Sequence, residues 1–300
     1  MNVTVTGATG LIGRKLVAAL KTRGDAVTVL SRDPGAAQQA LSVPAQLWDP
    51  ASGPAPTEAL AGRDGVIHLA GAPVAQRWNA RVKRDIQDSR EVGTRNLVAG
   101  LVTSDPRPPV LVSASAVGYY GPRGEERVDE TAAPGDDFLA RVCIAWEREA
   151  MAAEKAGIRV AVVRTGIVLD PDGGALAKML PPFKLGAGGP VGSGKQYMPW
   201  IHADDVVGLF LRALDDATIT GPLNASAPEP VTSKQFAKAL GRALHRPAVA
   251  PVPKLALRAL YGEMSEIILE GQRAVPARAL AAGYEFQHPD LDEALHAALS

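Results

Sequence analysis

One short segment restricts the possible folds of this 300-residue chain more than any other. A β-branched run at residues 3–6 leads into Gly7, Gly10 and Gly13, and an amphipathic stretch covers residues 11–23. A strand pattern that passes through a glycine turn directly into a helix pattern predicts the first strand–helix unit of an α/β fold. Gly24 then provides the stop of that helix.

The glycine turn also predicts a ligand. In such a turn the first glycine permits the tight bend, the second lets the backbone approach a pyrophosphate, and the third lets the helix pack on the sheet. The amino end of the helix offers free N–H groups to the phosphates. Because the turn follows the first strand and opens the first helix, it predicts dinucleotide binding. The predicted contacts are Thr6, Gly7, Thr9, Gly10, Leu11, Ile12 and Gly13.

Strand and helix patterns alternate through the first half of the chain. Nearly continuous apolar runs predict buried strands, and longer amphipathic stretches between them predict helices. The strands are expected at residues 26–30, 65–70, 109–113 and 159–164, and the helices at residues 79–102 and 138–156. This alternation predicts a doubly wound parallel Rossmann sheet over residues 1–167, to which residues 201–225 return.

The second half has a different character. Residues 170–200 are rich in glycine and proline and predict loops on the substrate side. Helix patterns follow at residues 201–214, 232–244 and 255–271. Residues 168–300 are therefore expected to form these loops and a smaller, mostly helical C-terminal lobe on the substrate side.

The end of the second strand bears on the choice of cofactor. Sites for NAD usually hold the ribose 2′-hydroxyl with a carboxylate there, whereas sites for NADP supply arginine. Ser31 and Arg32 favour NADP(H), although Arg32 is also compatible with a solvated loop charge and Asp33 with NAD. Further residues predicted to line the adenosine pocket are Asp49, Leu69, Ala70 and Gly71; His68 is interpreted as a satisfied histidine at a strand end.

Composition excludes several other classes of protein. Lys plus Arg and Asp plus Glu both number 32, so no net charge favours nucleic acid or an anionic membrane. The single cysteine, Cys143, excludes an intramolecular disulfide. No metal site is predicted, since the spacing of His202, Asp204 and Asp205 suggests a loop anchor and a helix cap. The expected location is the cytoplasm, as no apolar run approaches the ~20 residues of a membrane span.

Several motifs together resemble a known superfamily. They are the glycine turn, Ser113-Ala114-Ser115 followed by Tyr119-Tyr120-Gly121, and Trp200-Ile201-His202-Ala203-Asp204-Asp205. The chain resembles the extended short-chain dehydrogenases/reductases, and over residues 1–298 their atypical "epimerase family protein" subgroup, related to NAD-dependent epimerase/dehydratases. This resemblance implies an NADP(H)-type Rossmann domain and a small C-terminal domain of unassigned role.

The resemblance implies a catalytic serine but leaves the proton donor open. Ser115 matches the superfamily's serine, whereas Leu139 and Cys143 stand where its Tyr-x-x-x-Lys pair belongs. Tyr120 is a candidate proton donor, or else a wall of the pocket. The predicted substrate contacts are Tyr119, Arg141, Lys195 and Gln196, of which the last three also fit ordinary exposed polar positions.

The sequence is therefore compatible with two functions. The first is an NADP(H)-dependent oxidoreductase or epimerase acting on an unknown carbonyl or alcohol. The second is a non-catalytic NADPH-binding regulator or partner protein, consistent with the cell-division-inhibitor label of some relatives. An open pocket at the nicotinamide end would favour the enzyme, and a filled one the regulator. The chain is expected to be a monomer, or a homodimer formed through the helix at residues 138–156.

Overall fold

The computed structural model describes residues 1–300 of the chain. Its strands are β1 Asn2–Thr6, β2 Ala26–Ser31, β3 Ala45–Leu47, β4 Gly65–His68, β5 Val110–Ala116, β6 Arg127–Val128, β7 Arg159–Thr165, β8 Ile167–Leu169, β9 Tyr197–Met198, β10 Trp200–His202, β11 Gly221–Ala225, β12 Val231–Thr232 and β13 Arg273–Ala274.

The helices lie mostly between the strands of the first half and form most of the second. They are α1 Leu11–Thr22, α2 Pro34–Leu41, α3 Ala80–Thr103, α4 Phe138–Met151, α5 Gly174–Lys184, α6 Ala203–Asp215, α7 Ser233–Ala243, α8 Lys254–Tyr261, α9 Ser265–Leu269, α10 Ala277–Ala281 and α11 Leu291–Leu299. None of them combines the length and the apolar character that crossing a bilayer requires.

Seven strands form one parallel sheet in the order β3-β2-β1-β4-β5-β7-β11. The order runs outward from β1 in two directions, which makes a doubly wound sheet and confirms the predicted fold class. The last strand, β11, comes from the segment that was expected to return to the sheet. In open sheets of this kind ligands bind beyond the carboxyl ends of the strands, where the order reverses. Here that point lies between β1 and β4.

Both faces of the sheet are covered because successive side chains of a strand point to opposite sides. One core packs α1, α2 and α6 against residues such as Val3, Val5 and Val29. The other packs α3 and the end of α4 against residues such as Val66 and Leu111. This two-sided burial explains why the strands read as almost uninterrupted apolar runs.

The C-terminal lobe differs from expectation in two places. Residues 255–271 do not form one helix, because α8 ends where Gly262 adopts a φ of +60° and α9 begins at Ser265. Residues 170–200 are not all loop, because they contain the eleven-residue helix α5. The sequence hides this helix because Pro181 and Pro182 near its end disfavour helical backbone. Together with α7 and α11, α5 builds the core of the lobe.

The start of α6 is held in an unexpected way. The N-cap is His202, whose Nδ1 accepts a hydrogen bond from the amide of Asp204, so neither aspartate is the cap. Asp205 is fully buried and accepts the amides of Gln287 and His288 at 2.7 and 3.0 Å. The carboxylate therefore attaches residues 287–288, which precede α11, to α6, a helix that packs on the main sheet.

Replacing Asp205 tests this connection. Asp205→Ala leaves two amides without an acceptor inside the protein, so we expect the free energy of unfolding to fall by about 3 kcal/mol. Asp204→Ala is the matched control, because the Asp204 side chain is 54% exposed and should cost less than about 1 kcal/mol. Urea unfolding of both variants measures the difference. Equal losses would show that the buried carboxylate has no special role.

Candidate active site

The glycine turn lies at the carboxyl end of β1 and directs the amino end of α1 outward. Gly7 has a φ of +66°, and a Cβ there would lie 2.6 Å from the carbonyl carbon of Leu69. A Cβ on Gly13 would lie 2.4 Å from the carbonyl oxygen of Gly7. Side chains are thus excluded at both positions, which brings α1, the turn and the end of β4 into direct backbone contact.

The amino end of α1 is open to a ligand. Its N-cap is Gly10, and no side chain caps the helix, so the amides of Leu11, Ile12 and Gly13 begin a helix without acceptors. Side chains cap α2, α3, α4, α6, α7 and α11, whereas α5, α8, α9 and α10 lack a side-chain cap as α1 does. Thr9 and Gly10 are exposed beside this end. The turn can therefore accept the oxygens of a diphosphate.

The end of β2 separates the roles of its polar residues. Asp33 caps α2, since its Oδ1 accepts the amide of Ala36 at 2.9 Å. Ser31 uses its hydroxyl within the same turn, bonded to the backbone of Asp33 at 3.1 Å. Arg32 is exposed. Asp49 is close enough for the charge of Arg32 to lower its pKa, after the larger effects of hydrogen bonds from Ser52 and Ala51.

Thr6 supports the site from inside and does not reach a ligand with its side chain. It is fully buried, and its hydroxyl bonds to Nδ1 of His68 at 2.7 Å, while Nε2 of His68 bonds to Thr94 at 3.0 Å. The hydroxyl of Thr6 is therefore not exposed to a ligand, and Thr6 as a cofactor contact stays a prediction, whereas His68 is a satisfied buried histidine as interpreted. Burial lowers the pKa of His68 to about 3. Leu69 and Ala70 are half-buried next to the turn, and Gly71 is exposed.

A buried polar network lies at the other end of the crevice. The hydroxyl of Ser115 donates to Oε1 of Glu147 at 2.6 Å. Arg164 donates to both carboxylate oxygens of Glu147, from Nε at 2.9 Å and from Nη2 at 2.8 Å. Its Nη1 donates to the Tyr120 hydroxyl at 3.0 Å, which in turn donates to Asn224 at 2.7 Å. Strands β5, β7 and β11 and helix α4 are thus joined through one carboxylate and one guanidinium.

Tyr120 does not fit the role of proton donor. Its side chain is fully buried, and its hydroxyl is engaged by Arg164 and Asn224. Burial raises the pKa of Tyr120 to about 12, although the positive charge of Arg164 opposes the rise. Tyr119 is half-buried, and its ring lies 3.5 Å from the guanidinium carbon of Arg164. The two tyrosines therefore hold Arg164 in place.

Helix α4 contains neither a tyrosine nor a lysine, and Leu139 and Cys143 occupy the positions expected for that pair. Cys143 is buried, and burial, followed by the negative charge of Glu147, raises the pKa of its thiol to about 12. Leu139 instead lines an open cavity of about 310 Å³. Aromatic walls from Trp78 and Phe138 face acidic groups from the C-terminal lobe, namely Glu263, Glu266 and Glu270.

Of the four predicted substrate residues, Arg141 lines the cavity, whereas Tyr119, Lys195 and Gln196 do not. Arg141 lines it, and also donates to the carbonyl oxygen of Asp136. Lys195 is exposed outside it. The amide nitrogen of Gln196 donates to Val191 and Ile268 carbonyls at 3.0 and 3.2 Å, so this side chain links a glycine loop to α9. The cavity wall thus comes from α3 and the residue Trp78 before it, from the turn after β5, from the start of α4 and from the C-terminal lobe, and the glycine loop does not supply it.

A second group of polar side chains lies at the start of α6. Oδ2 of Asp204 is 3.5 Å from Nδ1 of His202 and 3.5 Å from Nε2 of His288. Imidazole and carboxylate groups are common metal ligands, and His288, which is distant in sequence, lies beside the other two residues. However, Nδ1 of His202 already accepts the amide of Asp204. The arrangement is accounted for as the cap of α6.

Sequence reasoning missed the partners of the predicted residues. Glu147, Arg164 and Asn224 surround Ser115 and Tyr120, and none was predicted as part of the site. One signal was available: Arg164 is a charge at the end of an otherwise apolar buried strand, and such a charge requires a partner. No pattern in the sequence indicated which acidic residue would provide it.

Family models match two consecutive parts of the chain. The NAD dependent epimerase/dehydratase family matches residues 3–224, and a domain of unknown function, DUF1731, matches residues 252–298. The second model covers the segment that contributes the acidic wall of the cavity. Sheet order, glycine turn and serine position together define a Rossmann protein of the extended short-chain dehydrogenase/reductase type.

The chain belongs to the NAD dependent epimerase/dehydratase family, as the match over residues 3–224 and its relatives show. One relative is "Epimerase family protein SDR39U1 homolog, chloroplastic" of Arabidopsis thaliana, 43% identical over 99% of this chain and 86% of its own. Another is "Epimerase family protein YfhF" of Bacillus subtilis, 39% identical over 98% of this chain and 97% of its own.

Solved structures share the fold over nearly the whole of this chain. The crystal structure of human epimerase family protein SDR39U1 (isoform 2) with NADPH has a TM-score of 0.88 and 35% identity, covering 100% of both chains. A nucleoside-diphosphate sugar epimerase from Corynebacterium glutamicum has a TM-score of 0.79 and 35% identity, covering 99% of this chain and 58% of its own. The resemblance read from the motifs is thereby confirmed.

The buried His68 predicts a specific pH dependence of stability. Its pKa falls from 6.5 to about 3 on folding, so below pH 6.5 the unfolded chain binds a proton that the folded chain does not. This contribution to stability is complete above pH 6.5. It declines by roughly 1.4 kcal/mol per pH unit as the pH falls toward 3.

Comparison of variants isolates this contribution. His68→Gln should show a shallower loss of unfolding free energy between pH 6.5 and pH 4 than the wild-type chain does. His296→Gln, at an exposed position of α11, is the control and should follow the wild-type curve. Denaturant titrations at several pH values provide the measurement. Parallel curves for all three proteins would contradict the assignment of a neutral buried imidazole.

Proposed function

We propose that the chain binds NADP(H) at the carboxyl edge of its sheet and acts as an oxidoreductase or epimerase on an alcohol or carbonyl carbon. The observation that carries the proposal is the uncapped amino end of α1, next to Gly7 and Gly13. A diphosphate supplies the acceptors that these amides lack. The human relative seen in a crystal with NADPH has the same fold at full length.

The end of β2 supports NADP(H) over NAD(H). Sites for NAD hold the ribose 2′-hydroxyl with a carboxylate, and here one oxygen of Asp33, Oδ1, is engaged in capping α2, which restrains that carboxylate. Arg32 is exposed at the same edge and takes part in no ion pair, so it is free to bind a 2′-phosphate. NAD(H) is the less favoured cofactor.

In this proposal Ser115 and Glu147 orient the substrate hydroxyl. When bound, the nicotinamide ring takes or returns a hydride at the substrate carbon. The one hydroxyl proton of Ser115, a buried residue, is directed at a carboxylate oxygen of Glu147, which leaves the lone pairs of its oxygen as acceptors. Ser115 therefore accepts a hydrogen bond from a substrate hydroxyl. Glu147, whose negative charge Arg164 stabilises through two hydrogen bonds, keeps Ser115 in this orientation, and the proton that the substrate hydroxyl loses passes to water.

The cavity at Leu139 supports turnover, because its space is open and adjoins the position where the superfamily carries tyrosine. In the lining of the cavity, acidic side chains outnumber the two basic ones, Lys83 and Arg141. Lys83 is already in an ion pair with Glu263, with 2.5 Å between Nζ and Oε2. Carboxylates repel phosphate, so this lining favours an uncharged or cationic alcohol over a phosphorylated one.

We further propose that the protein is cytoplasmic, that it is a monomer or a homodimer, and that it binds neither nucleic acid nor membranes.

A non-catalytic NADPH-binding protein is the second candidate. It is favoured by the missing Tyr-Lys pair and by the burial of Tyr120, which leave no phenol for the usual proton transfer. In that case the open cavity would receive a partner's side chain or a signal molecule. The two candidates differ in whether bound NADPH is consumed.

Ser115→Ala distinguishes the two candidates. With NADPH and a panel of carbonyl compounds, the enzyme reading predicts turnover that falls at least about 100-fold in this variant. NADPH affinity, measured by calorimetry, should stay unchanged. Ser113→Ala is the control, because Ser113 lies on the same strand and bonds only to the carbonyl of Ala114. Absence of turnover in the wild-type chain, with intact NADPH binding, would favour the second candidate.

Arg32→Asp tests the choice of cofactor. Loss of the guanidinium and gain of a carboxylate should weaken NADP⁺ binding roughly 10- to 100-fold and leave NAD⁺ binding within about threefold. Arg107→Asp introduces the same change of charge just before β5, at the opposite edge of the sheet, and should affect neither. Equal weakening for both dinucleotides at Arg32→Asp would show that Arg32 does not bind the extra phosphate.

A further inference from the structure

Arg90 of α3 is a cation without a carboxylate partner. The nearby arginines Arg95 and Arg148 pair with Glu149 and Glu91 across α3 and α4, whereas Arg90 takes part in no ion pair. Its Nη1 donates to the carbonyls of Ala72 and Ile86 at 3.0 and 3.2 Å. Its Nη2 and Nε donate to no protein atom. Arg90 is half-buried, and these two nitrogens remain available to a ligand that offers acceptors.

The guanidinium lies beside the nucleotide crevice. The guanidinium carbon lies 5.0 Å from the centre of the Trp146 ring. If Gly71 carried a Cβ atom, that atom would lie 3.1 Å from the same guanidinium carbon. Gly71 follows Ala70, whose amide is 2.7 Å from where a Cβ on Gly7 would be. A continuous series of contacts therefore leads from the phosphate turn through the end of β4 to Arg90.

The same guanidinium lies near the place of the missing lysine. In the superfamily that lysine lies on α4, at the position that Cys143 occupies here. Although burial and then Glu147 raise the pKa of Cys143, the positive charge of Arg90 is near enough to oppose the rise. The positive charge on this side of the crevice thus comes from α3, where α4 has a neutral thiol.

We propose that Arg90 binds the half of NADP(H) distal to adenosine, donating from Nη2 and Nε to its ribose and phosphate oxygens in place of the lysine that Cys143 replaces. This inference rests on the proposed cofactor, but it assigns a contact that neither the glycine turn nor the end of β2 provides. This contact requires free N–H donors beside the crevice, a rigid side chain packed against the guanidinium, and no carboxylate that competes for the donors. Arg90, Trp146 and Gly71 provide this arrangement.

Fragments of the dinucleotide locate the contact. Arg90→Met should weaken NADPH and 2′-phospho-ADP-ribose about 10- to 100-fold in calorimetry, the loss expected for charge-assisted hydrogen bonds. Binding of 2′,5′-ADP should stay unchanged, because this fragment lacks the second ribose and its phosphate. Arg84→Met, at an exposed position of the same helix, is the matched control and should change none of the three affinities.

Two further variants test whether the positive charge matters. Arg90→Lys keeps a cation on α3 and should lose less affinity for NADPH than Arg90→Met does. The double variant Arg90→Met/Cys143→Lys moves the cation to α4 and should recover part of the lost affinity. Circular dichroism and thermal unfolding show whether each variant is folded, and Arg90→Lys provides the test if Arg90→Met is not.

Three results would overturn the inference. One is unchanged NADPH affinity in Arg90→Met, which would show that the guanidinium makes no contact. Another is an equal loss for 2′,5′-ADP, which would show that Arg90 only supports the turn at Gly71. The third is an Arg90→Lys affinity as low as that of Arg90→Met. Absence of NADPH binding by the wild-type chain would instead overturn the proposed function itself, and this inference with it.

Discussion

The ion pair between Glu147 and Arg164 is the interaction on which the substrate end of this molecule depends. Two charges removed from water are tolerated only when each is fully matched, and here the guanidinium meets both oxygens of the carboxylate. This matched pair fixes the donor direction of Ser115 and the position of Tyr120. Loss of either partner would leave a buried charge uncompensated, which is far more costly than loss of an exposed pair.

The general fold could be predicted from the sequence because it follows from local patterns. Apolar strands alternating with amphipathic helices identify a parallel sheet, and the turn at Gly7 marks its first crossover. The helix α5 and the break at Gly262 could not be predicted in the same way. Each depends on packing within the C-terminal lobe, where tertiary contacts outweigh the local preferences of proline and of an amphipathic run.

The candidate site was predictable to a different degree at its two ends. At the glycine turn, residues 6–13 are contiguous in sequence and act mainly through the backbone, so the pattern itself defines the geometry. At the substrate end the partners of Ser115 come from α4 and β7, which are distant along the chain. Local patterns contain no information on such pairings. Tyr120 illustrates the result, since its neighbours in sequence suggest a catalytic position and its neighbours in space bury it.

The origin of the cavity wall has a consequence for how proteins of this kind diversify. The acidic residues Glu263, Glu266 and Glu270 come from a separately recognisable C-terminal module, whereas the glycine turn and the amino end of α1 belong to the segment matched by the epimerase/dehydratase model. Changes in that module can alter the shape and charge presented to a ligand without disturbing the backbone contacts around Gly7. One scaffold can thereby acquire new chemical preferences while its cofactor requirement stays the same.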